Sequence, residues 1–284
     1  LTTKTINSMA HLGSRAFGSI SGEVVQTTAC VLNNTLIEGF KPTFLRLLEG
    51  DEEQKKRAFV VGNDRFYHSA QDEFKKIPGS PVAYWATSKI KVAFTDLDSI
   101  DSHLFFRQGM ATSDNERFVR YHYEVSVKNI DRSCTSPEEL SISEKKWFPF
   151  SKGGGYRKWY GFNDLIVNWG GDGSEMKSFT STLPQGMNVR LKSRDYYCKE
   201  NITYSSLTSS SFSCRKNDNG FIFGTGGPCL FGEENLSSGL CLLNSKVGEI
   251  LLLCLSQTLN YEMVDVKKIP FIQHESTNEI ARRA

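Results

Sequence analysis

Between Lys145 and Gly161 the chain reads KKWFPFSKGGGYRKWYG, placing five bases (Lys145, Lys146, Lys152, Arg157, Lys158) among six aromatics (Trp147, Phe148, Phe150, Tyr156, Trp159, Tyr160) around three consecutive glycines. The mixture is suited to an anionic polymer. Cations neutralise phosphates, aromatic faces stack on exposed bases, and glycines let backbone N–H groups come close to a sugar-phosphate strand. Glu144 precedes the segment, and the next acid is Asp164. The same composition also fits an aromatic hairpin whose lysines are merely solvated, and composition alone leaves both readings open. Two smaller basic groups follow: Arg190, Lys192, Arg194 and Lys199 beside Tyr196 and Tyr197, and Arg215-Lys216 after a hydroxyl-rich run, Thr203–Ser213. Those hydroxyls could meet phosphates or base edges.

Other chemistries lack their residues. No Gly-Lys-Ser/Thr, His-Glu-x-x-His or Gly-x-Ser-x-Gly occurs, and the five histidines (His11, His68, His103, His122, His274) are scattered. A nucleotide-phosphate loop, a helical zinc pair and a hydrolase elbow are thereby excluded. Gly224-Thr225-Gly226-Gly227-Pro228 resembles half of a phosphate loop, but no helix is expected after it, and it reads as a turn. The seven cysteines stand at least twelve positions apart, which argues against a zinc ribbon and for reduced, mostly buried thiols.

The 284 residues carry a formal net charge of +2, so the basic island is a local feature of a nearly neutral chain. The longest apolar run, Ile250–Leu255, has six residues, far below the ~20 that cross a bilayer. With no charged-then-apolar leader, a soluble, cytoplasmic protein without a membrane partner is expected, and residue 1, a Leu, suggests a piece of a longer chain.

Several elements must position these residues. Val24–Leu32 has the composition of a buried strand, and Gly50–Arg57 that of a solvated helix face with acids preceding bases. Ile-Pro-Gly-Ser-Pro at 77–81 breaks regular structure and suggests a domain boundary, giving 1–75 and 76–284. Beyond it, short β-like segments (Phe118–Val127, Leu165–Trp169, Phe221–Phe223) alternate with loops. A helix capped by Asn244-Ser245 follows, with an apolar face of Val247, Ile250, Leu251, Cys254, Leu255 and Leu259. Val264–Phe271 reads as a closing strand and Ser276–Ala284 as a frayed tail.

In this order, the segments resemble the adenine-specific DNA methyltransferases of bacterial phage-defence (BREX-type) systems, the PglX family. The resemblance is carried by IPGSPVAYW (77–85), GMATSDNERFVR (109–120), KWFPFSKGGGYRKWYG (146–161), Val167-Asn168-Trp169, ITYSSLTSSSFSCR (202–215), GFIFGTGGPCLF (220–231), LLNSK (242–246) and NYEMVDVKKIP (260–270). Met9–Leu32 is similar to late strands of that family's catalytic domain, so the resemblance covers almost the whole chain. Leu243–Ser245 and Ile269-Pro270 also resemble the closing pattern of recognition domains in restriction–modification specificity proteins.

The resemblance implies a mixed α+β protein: the end of a Rossmann-like methyltransferase sheet over 1–75, then an α/β target-recognition domain over 76–284. It implies double-stranded DNA as partner, with other defence-system subunits as further candidates, and S-adenosylmethionine as the cofactor of the parent enzyme. The family's Asn-Pro-Pro-Tyr motif, which holds a flipped adenine, is missing: the chain has no Pro-Pro dipeptide and no cofactor glycine motif. A fragment that binds no cofactor itself and is catalytically inactive is therefore expected. Lys152, Gly153, Gly154, Arg157 and Lys158 are the expected DNA contacts. Trp159 and Tyr160 either stack or support the loop from behind, and Arg190, Lys192, Arg215 and Lys216 are second-rank phosphate contacts. A protein-docking module of a defence complex, or a complete small enzyme with an unrecognised site, are the alternatives.

Overall fold

The computed structural model of the protein describes residues 3–18, 26–61, 65–208, 210–256, 258 and 260–272. It is mixed α+β, as expected, and divides into two compact units between Asp96 and Leu97.

The first unit is a four-stranded sheet in the order β2-β1-β3-β4, formed by β1 (Thr5–Gly13), β2 (Thr27–Asn33), β3 (Thr43–Arg46) and β4 (Phe66–His68), with helix α1 (Glu52–Val61) between β3 and β4. Among the described residues of this sheet, only the β1/β3 pairing is parallel. Ile6, Phe44, Phe74 and Tyr84 make its core, with the Tyr84 ring stacked on Phe44 at 4.6 Å. Helix α2 (Ser88–Asp96) also packs here, since the Lys91 ammonium donates to Ser69 Oγ at 2.8 Å. The proline-rich stretch 77–81 is thus a turn inside this unit, and the division falls about twenty residues later.

Two expectations for this unit need correction. The strand in Val24–Leu32 exists from Thr27 onward (residues 24 and 25 lie outside the described residues), but it is exposed on both faces, Val31 and Leu32 included. And α1 is not a wholly solvated charge run. Lys55 is 4% exposed, its ammonium enclosed by the carbonyls of Leu12, Ser14, Leu47 and Leu48, while Phe59, Val60 and Val61 are exposed. Carbonyl dipoles replace the lost hydration of the cation, which makes its burial tolerable.

The second unit holds two four-stranded sheets. Its elements run β5 (Phe105–Arg107), α3 (Asn115–Phe118), β6 (Val119–Tyr121), α4 (Pro137–Ile142), β7 (Trp147–Ser151), β8 (Leu165–Asn168), α5 (Gly170–Ser181), α6 (Gly186–Arg190), β9 (Asn201–Tyr204), β10 (Cys214–Asn217), β11 (Ile222–Phe223), β12 (Cys229–Phe231), α7 (Leu236–Asn244), α8 (Lys246–Leu255) and α9 (Met263–Val266). The sheet orders are β10-β9-β12-β5 and β11-β7-β8-β6. β7 and β8 are buried nearly throughout, and Phe148, Phe150, Trp169, Tyr197 and Phe223 fill the core around them. Burial holds the Cys214 thiol protonated, with its pKa pushed up to about 12, so it packs as an inert apolar group.

The expected helix is α8, capped by Ser245 Oγ accepting from Gly248 N at 3.0 Å. Leu251, Leu252 and Cys254 are buried, whereas Val247 and Ile250 are exposed; Leu259 lies outside the described residues. Val264–Phe271 is not a strand: Met263–Val266 is a helical turn, and only Pro270 bridges to Ser99. The tail 276–284 lies outside the described residues.

Candidate nucleic-acid interface

Strand directions decide which loops share an end of the second unit. β7 leads into the 152–164 loop, and its parallel partner β11 leads into Gly224–Gly227. β9 enters the 205–213 loop and returns as its antiparallel partner β10. β12 begins beside the end of β5, because Cys229 pairs with Arg107. The four connections after β5, β7, β9 and β11 therefore emerge at one end.

Hydrogen bonds confirm that they touch. Gly154 N donates to Ser205 Oγ and Arg157 N to Ser213 Oγ, both at 3.0 Å. Ser206 N donates to Gly226 O at 3.1 Å, and Thr225 N to Met110 O at 3.0 Å. The hydroxyl-rich run thus spends Ser205 and Ser213 holding the glycine loop, instead of offering them to phosphates.

The loop lies against this end backbone to backbone. A Cβ on Gly153 would sit 2.4 Å from the Gly226 carbonyl oxygen, and one on Gly154 at 3.0 Å from the Phe162 ring. At Gly155 it would meet nothing within 4 Å. Further along, Trp159 forms a parallel bridge to Arg215, with Trp159 N donating to Cys214 O at 2.9 Å and Lys216 N to Trp159 O at 2.8 Å. The loop therefore adds a short extra strand to the β10 edge. Trp159 (φ 74°) and Phe162 (φ 61°) adopt the left-handed conformation that bulky residues avoid. The two bonds to β10 hold Trp159 there. Tyr156, Trp159 and Tyr160 are all exposed. Trp159 and Tyr160 are thus exposed, whereas the partly buried Phe162 ring lies against Gly154 and between the Arg157 and Arg215 guanidiniums.

The predicted bases separate on inspection. Lys152 and Arg157 are exposed on the loop, with the Arg157 guanidinium 4.7 Å from the Phe162 ring centre. Lys158 is partly buried and donates to Asn244 O at 2.6 Å. Arg215, expected on the surface, is 1% exposed. Its guanidinium lies 4.9 Å from the Phe162 centre and donates to Ser205 Oγ at 3.2 Å and Arg157 O at 3.5 Å. No carboxylate among the described residues pairs with it, and burial lowers its pKa. Arg215 is an internal post for the loop and not a phosphate contact. Successive strand residues face opposite ways, so Lys216 points outward. There Glu200 at 2.7 Å and Asp218 at 3.7 Å already partner it, Glu200 first among the groups that raise its pKa.

Arg190 and Lys192 join the same end from the side. The Arg190 carbonyl accepts from Ala111 N at 2.7 Å, and its guanidinium donates to Ser113 Oγ at 2.8 Å. Lys192 Nζ donates to Gln108 Oε1 at 2.9 Å. The segment 108–113 that they hold bridges to Gly224 through Met110. Arg190 and Lys192 are thereby fixed on the segment 108–113, whose Met110 touches the Gly224–Gly227 connection that lies against the Lys152 loop.

Sequence reasoning missed one aromatic pair. β6 runs antiparallel to β8, with Tyr121 opposite Leu165, and His122 N donates to Asp164 O at 2.8 Å. Tyr121 and Tyr123, both exposed, therefore stand at the loop end, stacked with ring centres 5.2 Å apart. The Tyr-His-Tyr alternation at the end of a short strand was the available signal.

The chain as a whole has relatives among known proteins. No protein-family model matches the chain. It is 36% identical over 289 aligned positions to the adenine-specific methyltransferase BrxX of Escherichia coli O9:H4 (strain HS), covering 100% of this chain and 23% of that protein. It is 37% identical over 285 positions to the adenine-specific methyltransferase PglX of Lacticaseibacillus casei (strain Zhang), covering 95% of this chain and again 23% of the relative. Among solved structures, the type IIG restriction endonuclease BpuSI aligns with 98% of the chain and 39% of its own at a TM-score of 0.32 and 12% identity, too distant to carry an argument. The chain is thus a relative of the adenine-specific methyltransferases BrxX and PglX along its whole length, and spans about a quarter of theirs.

Proposed function

We propose that the chain is the DNA-recognition part of an adenine-specific (N6) DNA methyltransferase of a phage-defence or restriction–modification system. The first unit continues the catalytic fold of the longer enzyme, and the second grips duplex DNA. One observation carries the reading: four connections from two rigid sheets converge at one end of the second unit, where they set Lys152 and Arg157 beside the exposed rings of Tyr156, Trp159 and Tyr160. A loop fixed by backbone pairing can meet a phosphate backbone without first paying to become ordered.

The longer enzyme would use S-adenosylmethionine, and the glycine loop of this chain is not built to hold it. Gly224–Gly227 is pressed on the backbone of Lys152 and Gly153 and leads into β12, so it has no helix N-terminus to hold a cofactor. With no Pro-Pro motif either, the chain alone transfers no methyl group. Exposed apolar side chains on β2 and α1 (Val31, Leu32, Phe59, Val60, Val61) support the assignment of the first unit to a larger fold. The compartment is the cytoplasm, where cellular DNA is met. No single helix among the described residues is long and apolar enough to cross a membrane.

The test is fluorescence anisotropy of the chain with random duplex DNA across a salt series. Affinity should fall steeply with salt. The double variant Lys152→Ala/Arg157→Ala should bind at least tenfold more weakly at low salt, with the log–log slope reduced by about two. An unchanged slope removes these two residues from the interface, and absent binding at low salt removes the reading.

A further inference from the structure

A cavity of about 350 Å³ opens at the same end of the second unit, walled by Gln108, Ser206, Thr225, Pro228, Asn260 and Glu262. It is large enough for a single nucleobase. It shares a wall with the basic loop: Ser206 N and Oγ both donate to Gly226 O at 3.1 Å, and Gly226 in turn abuts Lys152 and Gly153. Its opposite wall is tied in by Tyr261 N donating to Ser206 O at 2.7 Å.

The polar groups select the ligand. A carboxylate at Glu262 repels phosphate and accepts N–H, so the cavity complements the cationic loop instead of extending it. Lys192 Nζ occupies the Gln108 carbonyl oxygen at 2.9 Å, which leaves the amide N–H₂ of Gln108 as a donor. The Thr225 hydroxyl has no partner among the described residues, and the Asn260 amide reaches Glu262 at only 3.4 Å. A fixed donor therefore stands with a carboxylate acceptor, held by Asn260 through one oxygen only, and a free hydroxyl, over the apolar surface of Pro228. In the major groove, adenine presents its N6 amino donor beside the N7 acceptor, and cytosine its N4 amino donor beside the O6 of the paired guanine, the edges that complement this acceptor and donor. On that same major-groove edge guanine (N7, O6) and thymine (O4) offer acceptors where Glu262 would stand.

We infer that this cavity reads the amino-bearing edge of one base, adenine or cytosine, in DNA whose backbone lies on the 152–160 loop. The inference rests on the proposed function and adds to it a specificity-determining site, with Glu262 as acceptor and Gln108 as donor.

Selection of bound sequences from a random duplex library separates the two. The chain should enrich a motif with adenine or cytosine at one position. Glu262→Gln and, independently, Thr225→Val should each weaken that single preference about tenfold, with affinity for random DNA and its salt slope unchanged. Because both side chains are at least partly exposed, both variants should fold, and a thermal melt superimposed on that of the parent chain verifies it. Random-DNA binding without any enrichment, or a motif that neither substitution alters, overturns the cavity assignment and leaves the proposed function standing. Loss of all DNA binding by the parent chain overturns both.

Discussion

Arg215→Ala should lower the unfolding free energy of the second unit by about 3–5 kcal/mol and abolish salt-dependent DNA binding. The side chain is large and 1% exposed, so truncation opens a cavity of the kind that costs about 2–5 kcal/mol. It also leaves the Arg157 carbonyl without the guanidinium donor, at about 1–3 kcal/mol for a buried group, while the Ser205 hydroxyl keeps only Gly154 N as donor. Part of this is returned, because an arginine buried without a carboxylate is itself costly, as its lowered pKa reflects. The effect on binding follows from position. The guanidinium holds the 152–162 loop from beneath through Arg157 O and Phe162, so the loop should detach even where the sheets persist. Urea denaturation followed by tyrosine and tryptophan fluorescence checks the first part, and anisotropy the second. Arg215→Lys is the informative companion: it keeps the charge but loses the planar fork, and should recover little. Full recovery by lysine would mean that charge, not geometry, matters at this position.

The three consecutive glycines should behave unequally. Gly153 has φ +86°, and its missing Cβ would fall 2.4 Å from the Gly226 carbonyl oxygen, a backbone atom that cannot swing aside. Gly153→Ala therefore combines about 1–2 kcal/mol of conformational cost with a steric displacement of the loop. We expect at least a tenfold loss of DNA affinity with the fold retained. Gly155→Ala, where a Cβ meets nothing within 4 Å and φ is not positive, should change affinity less than twofold. Equal losses at both positions would show that flexibility, not close approach, is what the glycines supply.

What could be read from the chain and what could not differ by range. The strand around Val167 was legible because a short apolar, β-branched run between turn residues has few other uses. The basic–aromatic composition of 145–161 was legible for the same local reason. The fate of Arg215 and Lys216 was not. Adjacent residues on a strand face opposite sides, and which side is inside depends on a loop about sixty positions earlier folding over it. The exposed β2 failed in the opposite sense, since an apolar run announces burial without saying against what. The base-sized cavity was invisible in principle. Its walls come from positions 108, 206, 225 and 260–262, which no window on the sequence contains together.

The carbonyl-enclosed ammonium of Lys55 gives the first unit an internal reporter. Amine acylation requires a lysine that the reagent can reach, and Lys55 is sealed by four backbone oxygens while the adjacent Lys56 is well exposed. The two occupy neighbouring positions on one helix, so they are recovered on one peptide and read by one mass spectrum. Without denaturant, Lys56 should acylate and Lys55 should not. Raising urea should label Lys55 along the unfolding curve of the first unit alone, whatever the second unit is doing. Two adjacent lysines thereby make a thermodynamic probe for the first unit, about a third of the molecule, with no dye and no mutation.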